Sequence, residues 1–149
     1  MQTMNEPISP RHLLRWQPLA AALGVMFLSS GVACATDVNV SLSGAQEVPP
    51  VQTMATGSGT ITINADKTVS GHVTTKGISA TAAHIHDGAM GKNGPVAVPL
   101  AKSGEGEWNV PAGAKLSDAQ YADFQKGDLY VNVHSAAHPD GEIRAQLKP

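Results

Sequence analysis

Residues 129–147 read LYVNVHSAAHPDGEIRAQL, and this stretch predicts how the chain folds. Apolar residues alternate with polar ones on both sides of a Pro-Asp-Gly turn: Leu129, Val131 and Val133 before it, and Ile143, Ala145 and Leu147 after it. Side chains two residues apart on a strand share one face of a sheet. The stretch therefore predicts two strands, each with an apolar face toward the core and a polar face toward the outside.

The same pattern recurs through most of the chain. Alternating or short apolar runs predict further strands over residues 38–44, 57–64, 68–77, 82–88, 95–100 and 106–110. One helix is indicated over 117–127, because Ser117 and Gln120 stand at capping-box distance and Gly127 can end it. Seven or eight short strands at this spacing predict an all-β protein, a Greek-key-like antiparallel β-sandwich or barrel with one short helix.

The first 35 residues have the pattern of a secretory signal peptide. Arg11 and Arg15 precede an apolar run over 19–30 that is too short to span a bilayer, and the Ala-Cys-Ala sequence at 33–35 predicts cleavage after Ala35. Lipoprotein processing at Cys34, which would attach a lipid anchor, is the alternative. We therefore expect a signal peptide over 1–35, one domain over 36–149, and a periplasmic or secreted protein.

The charge of the predicted mature chain limits its partners. Cleavage removes two of the ten basic and one of the twelve acidic residues, which leaves 8 basic against 11 acidic residues. This acidic balance argues against a nucleic-acid partner, and no segment after residue 35 resembles a membrane span. Cleavage also removes the one cysteine, so we expect no disulfide. A small domain with strand edges is compatible with a monomer or a homodimer.

Histidines lie on the polar faces of the predicted strands. His84 and His86 are two apart on one strand, so their imidazoles project from one face at metal-chelating separation. His72, His134 and Arg144 occupy the polar faces of three other strands. We expect all five side chains on the outer surface, where they form a metal site if the strands bring them together. Ordinary solvated surface histidines are the alternative.

Three long motifs resemble the CHRD domain, the module named after chordin. They are LSGAQEVPPV at 42–51, AAHIHDGAMGKNGPV at 82–96, and the stretch quoted first, so the resemblance runs from about residue 38 to 147. In chordin the repeats belong to an extracellular antagonist of growth factors. The resemblance therefore implies, as one possible function, an extracellular interaction module without metal. A surface position for Trp108 would suit that function.

A second resemblance is to copper–zinc superoxide dismutases. Residues 69–88, VSGHVTTKGISATAAHIHDG, are similar to the segment of those enzymes that ends in a His-x-His pair, and LYVNVHS is similar to a later strand of theirs. The resemblance implies that His84, His86 and His134 are copper ligands and that Arg144 guides the anionic substrate. The loop after the pair lacks the zinc-binding histidines of that family, so no zinc is expected.

The fourth ligand is expected from His72, with His138 as the alternative. A nitrogen-only ligand set suits both Cu(I) and Cu(II), as superoxide dismutation requires. Asn132 or Asp87 is expected to hydrogen-bond the free ring nitrogen of a ligand. The resemblance thus implies a copper-only superoxide dismutase with superoxide as its substrate. A copper protein that buffers or delivers the metal without turnover is an alternative.

Overall fold

The computed structural model describes residues 34–149, so almost all of the predicted signal peptide lies outside the described residues. Within this range the chain forms nine strands, one short 3-10 turn (Gly44–Gln46) and one α-helix. The strands are β1 (Ala35–Ser43), β2 (Thr56–Asn64), β3 (Val69–Lys76), β4 (Ala80–Asp87), β5 (Val96–Pro99), β6 (Ala101–Gly104), β7 (Glu107–Asn109), β8 (Leu129–Ser135) and β9 (Ile143–Leu147), and the helix is α1 (Asp118–Lys126).

The nine strands form one antiparallel sheet in the order β5-β4-β8-β9-β1-β2-β3-β7-β6. Hairpins join β1 to β2, β2 to β3 and β8 to β9, whereas the β4–β8 and β3–β7 pairs join strands distant in sequence. The sheet closes almost completely around one core, which confirms the predicted all-β sandwich or barrel. Strand β6 was not predicted, because AKSG is exposed at the sheet edge and has no apolar alternation.

The apolar faces meet in the core as the alternation predicts. The largest fully buried aliphatic side chains come from six strands: Leu42, Ile61, Ile63, Val73, Ile85, Leu129, Val131, Ile143 and Leu147. Trp108 also belongs to this core with 3% exposure, since its strand β7 pairs it with Val73. Trp108 therefore does not have the surface position that would have suited an interaction module, and it offers no exposed aromatic ring to a partner.

Helix α1 begins and ends as predicted. The side chain of Ser117 accepts a hydrogen bond from the backbone N–H of Gln120, and the Gln120 side chain accepts one from the N–H of Ser117. Gly127 ends the helix with φ of 80°, a left-handed conformation that favours glycine. Phe124 is fully buried and attaches the helix to the core. No helix within residues 34–149 has the length and apolar character needed to cross a bilayer.

The polar face of β4, β8 and β9 is not an outer surface, which corrects the expectation from alternation. Two connections fold over it, residues 44–55 and residues 88–95, and Asn93 Nδ2 joins them by donating to the carbonyl of Val48 at 2.8 Å. Beneath them His86 is only 8% and Arg144 only 1% exposed. The sheet therefore has an apolar layer on one side and, at β4, β8 and β9, a covered polar layer on the other.

A candidate metal centre of three histidines

Strand register determines which side chains are neighbours in the covered polar layer. Between β4 and β8, His84 lies opposite Asn132 and His86 lies opposite Tyr130. His134 lies two residues beyond Asn132 on the same face of β8. Because β4 and β8 are adjacent, the three histidines are brought to one place by a pairing between distant parts of the chain.

The three imidazoles converge closely enough to share one ion. One nitrogen from each of His84, His86 and His134 lies within 4.8 Å of the other two. His84 Nδ1 is 3.0 Å from His134 Nε2, and the ring centroids are separated by 4.9 to 5.7 Å. Within residues 34–149 this is the one group of three or more metal-ligating side chains. The expected contribution of these three histidines to a common site is thus geometrically possible.

Backbone carbonyls orient two of the rings from behind. His86 Nδ1 donates to the carbonyl of Gly94 at 3.0 Å, and His134 Nδ1 donates to the carbonyl of Pro139 at 2.9 Å. A carbonyl only accepts, so each ring carries its proton on Nδ1 and has its lone pair on Nε2. Asn132 or Asp87 was expected to hydrogen-bond the free ring nitrogen of a ligand. In the structure the carbonyls of Gly94 and Pro139 do so instead.

The environment of His84 and His86 favours the neutral imidazole, which is the form that binds metals. Burial lowers the pKa of His86, and the hydrogen bond to Gly94 only partly opposes the effect. Burial also lowers the pKa of His84, with the charges of His134 and His86 acting in the same direction. The Nε2 atom of His86 is buried and has no hydrogen-bond partner. An imidazole lone pair in that condition is suited to a metal ion.

His72 lies elsewhere, and this corrects its expected place as the fourth ligand. It is exposed on β3, opposite Thr60 and Asn109, and does not belong to the histidine group. Strands β8, β9, β1 and β2 separate β3 from β4 in the sheet. Alternation correctly put His72 on a polar face, but that part of the face is distant from the cluster in the sheet order.

His138, the alternative fourth ligand, is half-buried in the turn between β8 and β9 and is also outside the group. It lines a cleft of about 250 Å³ together with Glu47 and Pro139. Its backbone N–H donates to Ser135 Oγ at 3.2 Å. This residue therefore helps to shape the turn that presents the Pro139 carbonyl to His134.

Arg144 does not face the histidine cluster. Its guanidinium carbon lies 3.5 Å from the ring centroid of Tyr130, and Tyr130 stacks on His86 with centroids 5.0 Å apart and planes 7° apart. Because β8 lies between β4 and β9, the Tyr130 ring separates the two side chains. The expected role of Arg144 as a guide for an incoming anion does not fit this position.

The guanidinium of Arg144 instead organises the loop over 88–95. It donates to the carbonyl of Lys92 at 3.0 Å, to the carbonyl of Ala89 at 3.3 Å and to Asn93 Oδ1 at 3.3 Å. The same loop carries Gly94, whose carbonyl orients His86. Arg144 therefore acts on the site indirectly, through the loop and through Tyr130.

Sequence reasoning missed Glu47, which lies in the connection over 44–55 with 4% exposure. Burial raises its pKa to about 7, although the nearby charge of Arg144 and a hydrogen bond from Asn132 Nδ2 at 3.3 Å both act to lower it. Glu47 Oε1 and Asn132 Oδ1 are buried without partners. The one available signal was a lone carboxyl inside LSGAQEVPPV, between residues with no charge.

Comparison with known proteins identifies the domain. The profile of the CHRD domain family matches residues 38–147, which is most of the chain. The match begins inside β1 and ends at the last residue of β9, so it includes most of β1, all of the later strands and the three histidines. No curated protein and no solved structure matched the chain.

Proposed function

The chain belongs to the CHRD domain family, and we propose that it binds one copper ion through His84, His86 and His134. One observation carries this proposal: three imidazole nitrogens converge within 4.8 Å of one another in a largely buried setting. The buried, unpartnered Nε2 of His86 supports it, because a buried polar atom without a partner is costly unless something binds there.

The donor set favours copper among the metals that imidazole binds. Nitrogen ligands suit copper, zinc, nickel and iron, and affinity for divalent ions in such a site peaks at Cu(II). The group contains neither a cysteine nor a carboxylate, so nothing in it selects for another of these metals. Zinc is the relevant competitor, and competition between the two ions belongs to the test.

The residues of the chain would hold the ion with little rearrangement. The carbonyls of Gly94 and Pro139 keep two rings in the tautomer that points Nε2 into the site. With three protein ligands, a bound copper ion would be able to take a small molecule as a further ligand. His84 is the half-exposed member of the three, so solvent and small anions approach from its side.

Superoxide dismutation is the second candidate function, and the partial exposure of His84 is the observation that favours it. When bound, copper would supply the one-electron oxidation and reduction that this reaction needs. Two superoxide anions and two protons give one dioxygen and one hydrogen peroxide, so the reaction needs no further oxidant or reductant. A copper protein without turnover shares the same site and differs only in this activity.

Both functions are tested on one sample. The mature protein is loaded with one equivalent of Cu(II), and its EPR spectrum and its rate of superoxide decay are recorded beside those of the His84→Ala and His72→Ala variants. We expect a signal with nitrogen coupling that His84→Ala removes and that His72→Ala leaves unchanged. Fast decay that depends on His84 would establish the dismutase, and binding without turnover would leave a buffering or delivery protein.

Two results would contradict the copper proposal. One is the absence of a protein-bound copper signal, which would return the chain to the alternative of a metal-free interaction module. The other is displacement of copper by one equivalent of zinc, which would make this a zinc site. A competition titration with both metals separates these outcomes.

We also propose a periplasmic or secreted location, which the signal-peptide pattern of the first 35 residues supports. Cys34 is exposed where the described residues begin. The intact mass and N-terminal sequence of the exported protein test the processing. A chain that begins at Thr36 means cleavage after Ala35, whereas a lipid-modified Cys34 means lipoprotein processing. A retained 1–35 segment would contradict both.

A further inference from the structure

Tyr130 lies between a proposed copper ligand and a buried cation. On one side its ring is parallel to His86, with planes 7° apart and centroids 5.0 Å apart. On the other side the guanidinium carbon of Arg144 is 3.5 Å from its ring centroid. Tyr130 and Arg144 are each only 1% exposed, so the contacts are shielded from water. The three side chains form a stack that we call the His86–Tyr130–Arg144 stack.

The charge of Arg144 has no ion-pair partner among residues 34–149. Its guanidinium donates to carbonyl and amide oxygens, which are neutral: those of Lys92, Ala89, Asn93 and Gln146. The salt bridges of the described chain lie elsewhere, at Lys67–Asp118 and Lys126–Asp123. The carboxyl of Glu47 is near enough for the two charges to influence each other, but it forms no salt bridge with Arg144. A positive charge is therefore held behind Tyr130 without a salt-bridge partner among the described residues.

We propose that the His86–Tyr130–Arg144 stack raises the reduction potential of the copper bound at the three histidines, so that Cu(I) is favoured over Cu(II). This inference rests on the proposed copper site. A fixed cation in a low-dielectric setting destabilises the more highly charged ion more strongly. The guanidinium also draws electron density from the stacked phenol, which makes the π-face next to His86 less electron-rich.

Gly94 holds the stack in place. Its carbonyl accepts the hydrogen bond from His86 Nδ1, and its N–H donates to the hydroxyl of Tyr130 at 3.1 Å. One residue thus fixes both rings relative to each other, and Arg144 fixes the loop that carries this residue. The distance from the cation to the ligand is therefore set by the fold, as an electrostatic influence on the metal requires.

The test measures the ratio of the Cu(II) and Cu(I) dissociation constants, and the potential itself, in the copper-loaded protein. Arg144→Gln removes the charge and keeps a hydrogen-bonding side chain, whereas Arg144→Lys keeps the charge. Lys92→Gln is the matched control, because it removes an exposed cation from the same loop. EPR of each variant checks that the three-nitrogen site persists. Arg144→Met replaces Arg144→Gln if that variant does not fold.

We expect Arg144→Gln to shift the ratio by about tenfold toward Cu(II), which lowers the potential by about 59 mV for a one-electron couple. Arg144→Lys should retain most of the wild-type potential, and Lys92→Gln should change the ratio less than about twofold, since water and salt screen an exposed charge. An unchanged potential in Arg144→Gln with intact copper binding would overturn the inference. Equal shifts in the Gln and Lys variants would also overturn it, because they would mean a purely structural role.

The proposed function and this inference fail in different ways. If the wild-type protein binds no copper, the copper site itself is refuted and the inference goes with it. If copper binds through the three histidines and only the potential fails to respond to Arg144, the copper site stands and the role of the stack is refuted. Copper binding of the wild-type protein is therefore measured before any variant.

Discussion

The Nδ1 atom of His86 lies 3.0 Å from the carbonyl oxygen of Gly94, and no side chain at position 94 other than hydrogen fits this arrangement. A Cβ atom on Gly94 would lie 1.7 Å from the carbonyl oxygen of Asp87. The atoms of Asp87 that this Cβ would meet belong to the backbone, so the clash cannot be relieved by a rotamer change. The orientation of a proposed metal ligand thus depends on a glycine eight residues along the chain.

Gly94→Ala should therefore weaken copper binding although it replaces none of the three histidine ligands. The loop has to move away from Asp87, and His86 then loses the acceptor that fixes its ring. Loss of such an outer partner typically costs 10- to 100-fold in metal affinity. A competition titration with a Cu(II) chelator measures this loss.

Gly91→Ala is the control for that experiment, because Gly91 lies in the same loop and a Cβ there would meet nothing within 4 Å. Its φ of 75° makes alanine strained by about 1 kcal/mol, so the control carries a small stability cost of its own. Equal losses of affinity in Gly91→Ala and Gly94→Ala would contradict a specific role for the Gly94 carbonyl.

The histidines themselves separate into two classes that a titration can distinguish. Removing one of three ligands in His134→Ala should raise the copper dissociation constant at least about 100-fold, whereas His72→Ala and His138→Ala should change it less than about threefold. The physical reason is that, of His72, His134 and His138, only His134 contributes a nitrogen to the histidine group. Isothermal titration of the apoprotein measures all three. A loss in His72→Ala as large as that in His134→Ala would refute the three-histidine site.

The strands and their apolar faces could be predicted from the sequence because alternation is a local property. The stretch over 129–147 gave β8 and β9 with their buried sets, and the capping box gave helix α1. The same alternation placed His72 with the other histidines, since it states which face a residue takes but not which strands are neighbours. Sheet order is a long-range property, and it put β3 apart from β4.

The alternation of apolar and polar residues also does not predict whether a connection covers the polar face of a strand. Arg144 reads as an outward-facing residue in GEIRAQL, and only the fold of the loop over 88–95 shows that it is buried. The burial of Glu47 could not be predicted for the same reason, because it depends on how the connection over 44–55 lies across the sheet. The resemblance to copper–zinc superoxide dismutases predicted which histidines converge, but the role that it implied for Arg144 does not fit this structure.

The turn between β8 and β9 is stabilised by a buried carboxylate, and this leads to a prediction for stability. Glu142 accepts hydrogen bonds from Ser135 Oγ at 2.5 Å and from Thr53 Oγ1 at 2.7 Å, so it ties the turn to the connection over 44–55. Ser135→Ala removes one donor from this carboxylate, and we expect a loss of about 1.5 to 3 kcal/mol in the free energy of unfolding. Urea denaturation of the metal-free protein measures it.

Ser103→Ala is the matched control for the turn, since Ser103 is exposed on the edge strand β6, and it should cost less than about 0.5 kcal/mol. The Ser135→Ala variant should also bind copper more weakly, because the turn presents the Pro139 carbonyl to His134. Full stability in Ser135→Ala would show that Glu142 is satisfied by other donors.

Glu47 gives the protein a pH-dependent stability whose sign can be worked out. In the unfolded chain its pKa is near the ordinary 4.5, whereas burial raises it to about 7 in the folded protein. Between these values the unfolded chain has released a proton that the folded protein keeps, so this residue makes the folded state less stable as pH rises from about 4.5 to 7. The whole effect approaches about 3 kcal/mol for a shift of this size.

Glu47→Gln should remove that dependence, because the amide does not titrate and its NH₂ group can donate to the unpartnered Oδ1 of Asn132. We expect the metal-free variant to gain stability over the wild type as pH rises from 4.5 to 8, with the gain levelling off above about pH 7. Urea denaturation across this range measures the difference at each pH. Glu105→Gln, at an exposed position, is the control and should show a small difference that is nearly constant with pH. If the stability difference for Glu47→Gln were also constant with pH, the pKa of Glu47 would be the same in the folded protein as in the unfolded chain. Water would then reach this carboxyl in the folded protein.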